Sequence, residues 1–256
     1  MSSQSTPVVP SRAALRPHEP LSEYYSDEAE HQRFLRDIFD DTAVDYDRIE
    51  GMLAFGSGPG YRRQALHRAG LTEGMQMLDV GVGTGLVARE ALSLIGPLGR
   101  LVGVDPSPGM MAQARLPDVA LLQGRAEDLP RDSASADFVC MGYALRHLSD
   151  VDAGLAEFFR VLRPGGRLLM LEITRPRSRV ATLVLQAYMR IVVPVIARLV
   201  TRRANTARLW RYYWDTIDAC IAPAQVLDAI SRAGFVDVHR HVVLGIFSEY
   251  TATKPA

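Results

Sequence analysis

At 256 residues, 48% of them hydrophobic and 23% charged, the chain is long enough to bury the full core of one ordinary α/β domain. Lysine plus arginine equals aspartate plus glutamate, 29 of each, so no net field attracts a polyanion and a nucleic-acid partner is not expected. Cys140 and Cys220 are too few for a disulfide framework, and the first 25 residues hold no apolar export core, which points to the cytoplasm.

In chain order, residues 1–20 are rich in serine and proline and read as part of a mobile tail, taken as 1–25. Phe34, Leu35, Ile38 and Phe39 then recur at helical spacing behind the acidic start Ser26-Asp27-Glu28, which predicts a capped amphipathic helix. A second short helix over 44–53, the loop Gly56-Ser57-Gly58-Pro59-Gly60 and a helix over 61–69 should follow and pack beside a ligand mouth.

Met75-Gln-Met-Leu-Asp-Val-Gly-Val-Gly-Thr-Gly85 reads as a buried strand entering a glycine turn, with a helix over 86–95 directly behind it. Gly81, Gly83 and Gly85 lie two apart, so the turn can take positive φ and bring bare backbone against a ligand. A second strand over 100–104 ends in Asp105, at the spacing where an acid closes on ribose hydroxyls. A dinucleotide fingerprint would need glycine at position 86, where this chain has Leu86. The ligand therefore reads as a nucleoside without a diphosphate.

Further on, the pattern predicts a helix over 108–115, strands over 119–123 and 136–141, a helix over 150–162, the turn Arg163-Pro-Gly-Gly166 and an apolar strand over 167–173. Strands alternating with helices imply a mainly parallel sheet, whose ligand lies at the carboxyl ends of the strands. Gly81, Asp105, Arg125 and Gly142 all follow such ends. A helix over 223–233 and a closing hairpin over 236–253 complete the chain.

Residues 175–222 form an insert. Its apolar run 180–200 is interrupted by Gln186, Arg190, Pro194 and Arg198, and a central arginine costs roughly 2.5–3.5 kcal/mol in a membrane span, so a transmembrane helix is rejected. Two readings stay open. One is a broken helical lid packed on the core. The other is a lid whose apolar face meets lipid or a prenyl tail, with Arg175, Arg177, Arg179, Arg202 and Arg203 near phosphates.

Asp79-x-Gly81-x-Gly83-x-Gly85 with Asp105 resembles the cofactor site of class I S-adenosylmethionine-dependent methyltransferases. More narrowly, six segments resemble the ubiquinone/menaquinone C-methyltransferase family: Ile38-Phe-Asp-Asp-Thr-Ala-Val-Asp-Tyr-Asp47, Leu78 to Gly85, Gly124-Arg-Ala-Glu-Asp-Leu-Pro130, Tyr143-Ala-Leu-Arg-His-Leu-Ser-Asp150, Arg160 to Glu172 and Ala233-Gly-Phe-Val-Asp-Val238. The resemblance implies a Rossmann-like α/β fold over 26–256, with a seven-stranded, mainly parallel sheet, an antiparallel edge hairpin, N-terminal helices and the helical lid. It implies S-adenosylmethionine as cofactor, held by Asp79, Gly81, Gly83, Thr84, Gly85, Asp105, Pro106, Met110, Arg125, the Ala126 N–H and Gly142. It also implies a small lipophilic acceptor met by Tyr46 and Arg146, and leaves room for a homodimer and for peripheral contact with the inner face of the membrane. Three positions depart from the family pattern: Arg125 stands where Asn or Asp is usual, His147 replaces an Asn after the arginine, and Ile49-Glu50 replaces Met-Asn.

Methyl transfer to a ring carbon needs an in-line approach and an electron-rich ring. Guanidinium stays charged, so Arg146 can hold a phenolate, and His147 is the expected proton acceptor. Competing readings are an enzyme for a phospholipid amine or an aromatic secondary metabolite, with Trp210, Tyr212, Tyr213 and Trp214 as an aromatic wall for a cation; a nicotinamide oxidoreductase, against which Leu86 speaks; and a non-catalytic cofactor sensor. His239 and His241 share a strand face but lack a third ligand, so no metal is assigned.

Overall fold

Alternate residues of strand β1 (Gln76–Val80) feed opposite cores: Leu78 and Val80 point into one and Met77 into the other. The same alternation runs through β2 (Arg100–Asp105), β4 (Ala136–Gly142) and β5 (Leu162–Ile173), whose near-continuous apolar runs are those of strands covered on both faces. This is a computed structural model, describing residues 14–53, 56–201 and 204–256. With β3 (Ala120–Gln123), β6 (Val236–Val243) and β7 (Phe247–Thr253) the strands form one seven-stranded sheet in the order β3-β2-β1-β4-β5-β7-β6. The first five run parallel, and β7 enters antiparallel between β5 and β6. The order reverses between β1 and β4, which opens a crevice at their carboxyl ends.

Helix α1 (Glu28–Leu53) is followed by α2 (Gly58–Arg68), α3 (Leu86–Ile95), α4 (Pro108–Ala112) and α5 (Val151–Val161). Beyond β5 come α6 (Arg179–Ala187), α7 (Val193–Thr201), α8 (Ala204–Ala219) and α9 (Pro223–Arg232). Helices α2 and α3 cover one sheet face, with Leu66, Ala88, Ala91 and Ile95 buried there. Helices α5 and α9 cover the other through Leu155, Phe158, Val226 and Ile230. A third, largely aromatic core joins α1, α8 and the insert above the strand ends.

Four expectations change. The two short helices expected over 26–53 are one helix of 26 residues, started by an N-terminal box in which the Glu30 N–H donates to Asp27 and the Ser26 N–H donates to Glu30. No glycine or proline breaks it between Phe39 and Val44, and buried Thr42 donates its hydroxyl to the Ile38 carbonyl. Residues 14–25, expected within the mobile tail, are tied down: the Leu15 carbonyl accepts from the Val151 N–H at 2.8 Å, the Pro17 carbonyl accepts from the Ile221 N–H at 2.7 Å, and Tyr25 is buried. The remaining tail, 1–13, lies outside the described residues. The Arg163-Pro-Gly-Gly166 turn is a bulge inside β5, which shifts register between Ala136 and Phe138. Finally, the lid is not broken. It is helical from Arg179 to Thr201, and one π-turn over Tyr188–Val192 absorbs Pro194, which has no N–H to give.

Candidate active site

The glycine turn after β1 is built as its spacing predicts. Gly81 and Gly83 take φ of 71° and 52°, and a Cβ on Gly81 would stand 2.9 Å from the Ala144 Cβ. Asp105, at the end of β2, accepts hydrogen bonds from the Gly83 and Ser107 N–H groups, both at 2.8 Å. Each carboxylate oxygen keeps a further lone pair, so one acid organises two loops and can still accept from a ligand hydroxyl. Burial pushes its pKa up to about 6, against the pull of those two N–H groups. Asp79 is buried deeper, and burial plus the nearby Asp105 charge raise its pKa to about 8 against the pull of the Ala88 N–H.

Helix α1 lies across these loops and grips both. Asp40 accepts from the Ser107 hydroxyl and, at 2.8 Å, from the Gly109 N–H. Two turns later Asp47 accepts from the Thr84 hydroxyl and, at 2.8 Å, from Arg89, which also donates to the Thr84 carbonyl at 2.7 Å. Seven residues separate the two acids, which puts them on the same helix face.

Between these loops, α1, α8 and the insert lies a cavity of about 400 Å³. Gly81, Gly83, Thr84, Asp105, Pro106, Met110, Arg125, Ala126 and Gly142 line it, as do Tyr46, Arg146 and His147. The walls beyond the glycine turn are apolar, from Leu35 and Phe39 of α1 and Leu185, Met189 and Trp210 of the lid. Arg146 is 1% exposed and pairs with Glu172 at the end of β5; its guanidinium carbon is 4.7 Å from the centre of the Tyr213 ring. Burial opposes that positive charge, but Glu172 and the surrounding phenols outweigh it. The Tyr46 hydroxyl lies 2.9 Å from that of Tyr213.

His147 is stacked between Tyr212 and Tyr213, at 5.7 and 5.8 Å, with Phe39 against its edge. Among the described residues neither ring nitrogen has a hydrogen-bond partner. Burial and then the Arg146 charge hold its pKa well below the ordinary 6.5, which favours the neutral ring and speaks against the expected role as a proton acceptor.

A sequence model of the ubiE/COQ5 methyltransferase family matches residues 26–254. The chain belongs to that family. A demethylmenaquinone methyltransferase of Symbiobacterium thermophilum is 30% identical over 236 residues, 88% of this chain and 94% of that protein. The ubiquinone/menaquinone biosynthesis C-methyltransferase UbiE of Geobacter sulfurreducens is 32% identical over 229 residues, 86% and 88% of the two chains. Among solved structures, a SAM-dependent methyltransferase of Thermotoga maritima superposes with a TM-score of 0.61 at 22% identity, covering 86% of this chain and 99% of that one. Phosphoethanolamine N-methyltransferase 2 of Haemonchus contortus, in complex with S-adenosyl-L-methionine, gives 0.60 at 18% identity, covering 86% and 60%.

This member of the methyltransferase family therefore takes S-adenosylmethionine as methyl donor, and its residues fit that group. The side-chain-free turn, the strand-end carboxylate with spare lone pairs and the cavity they border are the parts an adenosyl sulfonium needs. Two of the expected cofactor residues do not reach the cavity. Gly85, at φ 85°, starts α3, and a Cβ there would stand 2.8 Å from Leu116; Asp79 lies beneath the turn. Arg125 lines the cavity but is already engaged, donating to Ser149 at 2.7 Å and to Glu127 at 3.4 Å. The expected aromatic wall divides: Tyr212 and Trp214 are packed in the core, and Tyr213 has a face taken by Arg146. Sequence reasoning assigned no role to Glu172, Asp40 or Asp47. The available signals were an acid ending an apolar strand and two acids one heptad apart.

Proposed function

We propose that this methyltransferase places a methyl group on a ring carbon of a prenylated quinol of the demethylmenaquinol or demethylubiquinol type. The observation that carries the reading is the end of the cavity. Arg146 and His147 line the cavity beside its apolar walls, and Arg146 Nε and the two His147 ring nitrogens are buried and, among the described residues, without a partner. An apolar substrate with a hydroxyl at its head supplies the missing partners at one stroke.

When bound, S-adenosylmethionine supplies an electrophilic methyl carbon. The protein's part is to bind, orient and exclude water. Neutral His147 accepts a hydrogen bond from a ring hydroxyl, and when that hydroxyl releases its proton to solvent the charged Arg146, fixed by Glu172, stabilises the phenolate that makes the ring nucleophilic. The proton displaced from the methylated ring carbon restores the hydroxyl, so one proton leaves in all. Tyr46, held by Tyr213, borders the ring edge, and Met189 and Leu185 shield the reacting atoms. The fixed Arg146 charge also speaks against a phospholipid amine, since a cationic head group would meet a cation where the reading needs an aromatic face.

The outer face of the lid supports a peripheral site of action, in the cytoplasm against the membrane. Val180, Val184, Ile191, Val195 and Leu199 form an exposed apolar stripe, and Leu185, Tyr188 and Met189 on the other side line the cavity. A prenyl tail leaving the cavity would pass along this helix. The deciding experiment is transfer of labelled methyl from S-adenosylmethionine to demethylmenaquinol, phosphatidylethanolamine and simple phenols in parallel. Label on the quinol ring alone is expected; label on the amine, or on none of the three, would overturn the assignment.

A further inference from the structure

At the end of the cavity bordered by α2 and the tip of the β6–β7 hairpin stands a second buried guanidinium. Arg62 pairs with Glu50, and its side chain is 3% exposed. Its Nε and Nη1 are buried with no hydrogen-bond partner among the described residues, and both Arg62 and Glu50 line the cavity. The pair has a built seat. A Cβ on Gly58 would stand 2.8 Å from Arg62 Nη1 and 3.0 Å from Glu50 Oε1, so glycine at the start of α2 makes the room. Tyr143, which borders the same end, is held at φ 61°, a left-handed conformation unusual for a tyrosine and typical of sites that position a ligand. Tyr46, which lines the same cavity, feels the charges of both Arg62 and Arg146.

A buried guanidinium with two idle nitrogens is a costly arrangement unless something carrying oxygen occupies the space beside it. We propose that Arg62, oriented by Glu50, binds the acceptor: it donates to a second ring oxygen, remote from the one held at Arg146, and so makes the enzyme select acceptors that carry two oxygens across the ring. The inference rests on the quinol reading above and adds to it a specificity-determining residue at the far side of the site. Glu50 acts as a positioning residue, since it holds Arg62 by Nη2 and leaves Nε and Nη1 for the ligand.

The test uses two probes under anaerobic, reducing conditions: 2-prenyl-1,4-naphthohydroquinone and 3-prenyl-1-naphthol, which keeps the hydroxyl ortho to the methylated carbon and lacks the second oxygen. Their binding to the S-adenosylhomocysteine complex is read from tryptophan fluorescence, and their methylation from initial rates. The wild-type protein is expected to favour the diol by roughly 10- to 100-fold in Kd and in kcat/KM, the worth of one charge-assisted hydrogen bond. In Arg62→Met, or in Glu50→Gln/Arg62→Met where the single change leaves the acid uncompensated, the preference in Kd should vanish and that in kcat/KM shrink by the same factor, while S-adenosylhomocysteine affinity is kept. A variant that retains the preference, or loses both probes equally, assigns Arg62 to structure and overturns the inference. If wild-type protein binds S-adenosylhomocysteine but neither probe, the quinol reading itself falls, and the role of Arg62 with it.

Discussion

Asp47 on α1 accepts the hydroxyl of Thr84 in the glycine turn, so a helix that precedes the sheet in the chain sets the shape of the cofactor loop. Arg89 closes the arrangement by donating both to Asp47 and to the Thr84 carbonyl. Replacing Asp47 by alanine frees one side of the turn. Affinity for S-adenosylhomocysteine should fall about tenfold by calorimetry, the worth of one hydrogen bond to a charged group. An unchanged affinity would show that the turn keeps its form without α1.

Asp105→Ala should be more severe. The change leaves the Gly83 and Ser107 N–H groups without their acceptor and removes the ribose partner at once. Cofactor affinity should drop by roughly 100-fold or more, with the melting temperature lowered too. Asp105→Asn, which keeps the oxygen that one N–H needs, should fall between the two.

Arg146 and Glu172 form a pair in which each compensates the other's burial. Glu172→Gln leaves an unpaired buried cation and should cost about 3–5 kcal/mol in urea denaturation. The double change Arg146→Met/Glu172→Met should restore most of that stability while methyl transfer stays abolished. Recovery of activity in the double variant would remove Arg146 from the reaction.

Asp79 gives a pH signature. Its folded pKa of about 8 lies above the ordinary 3.8, so between those values the native state holds a proton that the unfolded chain has released. The stability it contributes is full at low pH and is lost as pH rises towards 8. Asp79→Asn removes this slope. The difference in urea midpoint between Asp79→Asn and the wild type should therefore shift in favour of the variant from pH 6 to pH 9. A constant difference would mean that Asp79 is ionised in the folded protein. His147 acts in the opposite sense: its lowered pKa costs stability as pH falls below about 6.5, where only the unfolded chain takes up the proton.

The outer stripe of the lid makes a physical prediction of its own. Wild-type protein should sediment with anionic vesicles, and Val184→Asp/Leu199→Asp, at positions 64% and 74% exposed, should release it without lowering the melting temperature. Wild-type protein left in the supernatant would rule out the membrane contact.

The sequence by itself determined the nucleotide half of this protein. A glycine turn needs positive φ at fixed positions, and a strand-end acid must follow at a fixed spacing, so the local pattern names Gly81, Gly83 and Asp105 before any tertiary contact is known. Only the folded chain decided the acceptor half. Arg146 finds Glu172 from another strand, Arg62 finds Glu50 from another helix, and Asp40 and Asp47 reach loops that come 37 residues or more later in the chain. His147 shows the limit most clearly: its basicity is not a property of its position in the sequence, because the burial and the neighbouring cation that suppress it arise only when α1, α8 and the β4 loop close around the ring.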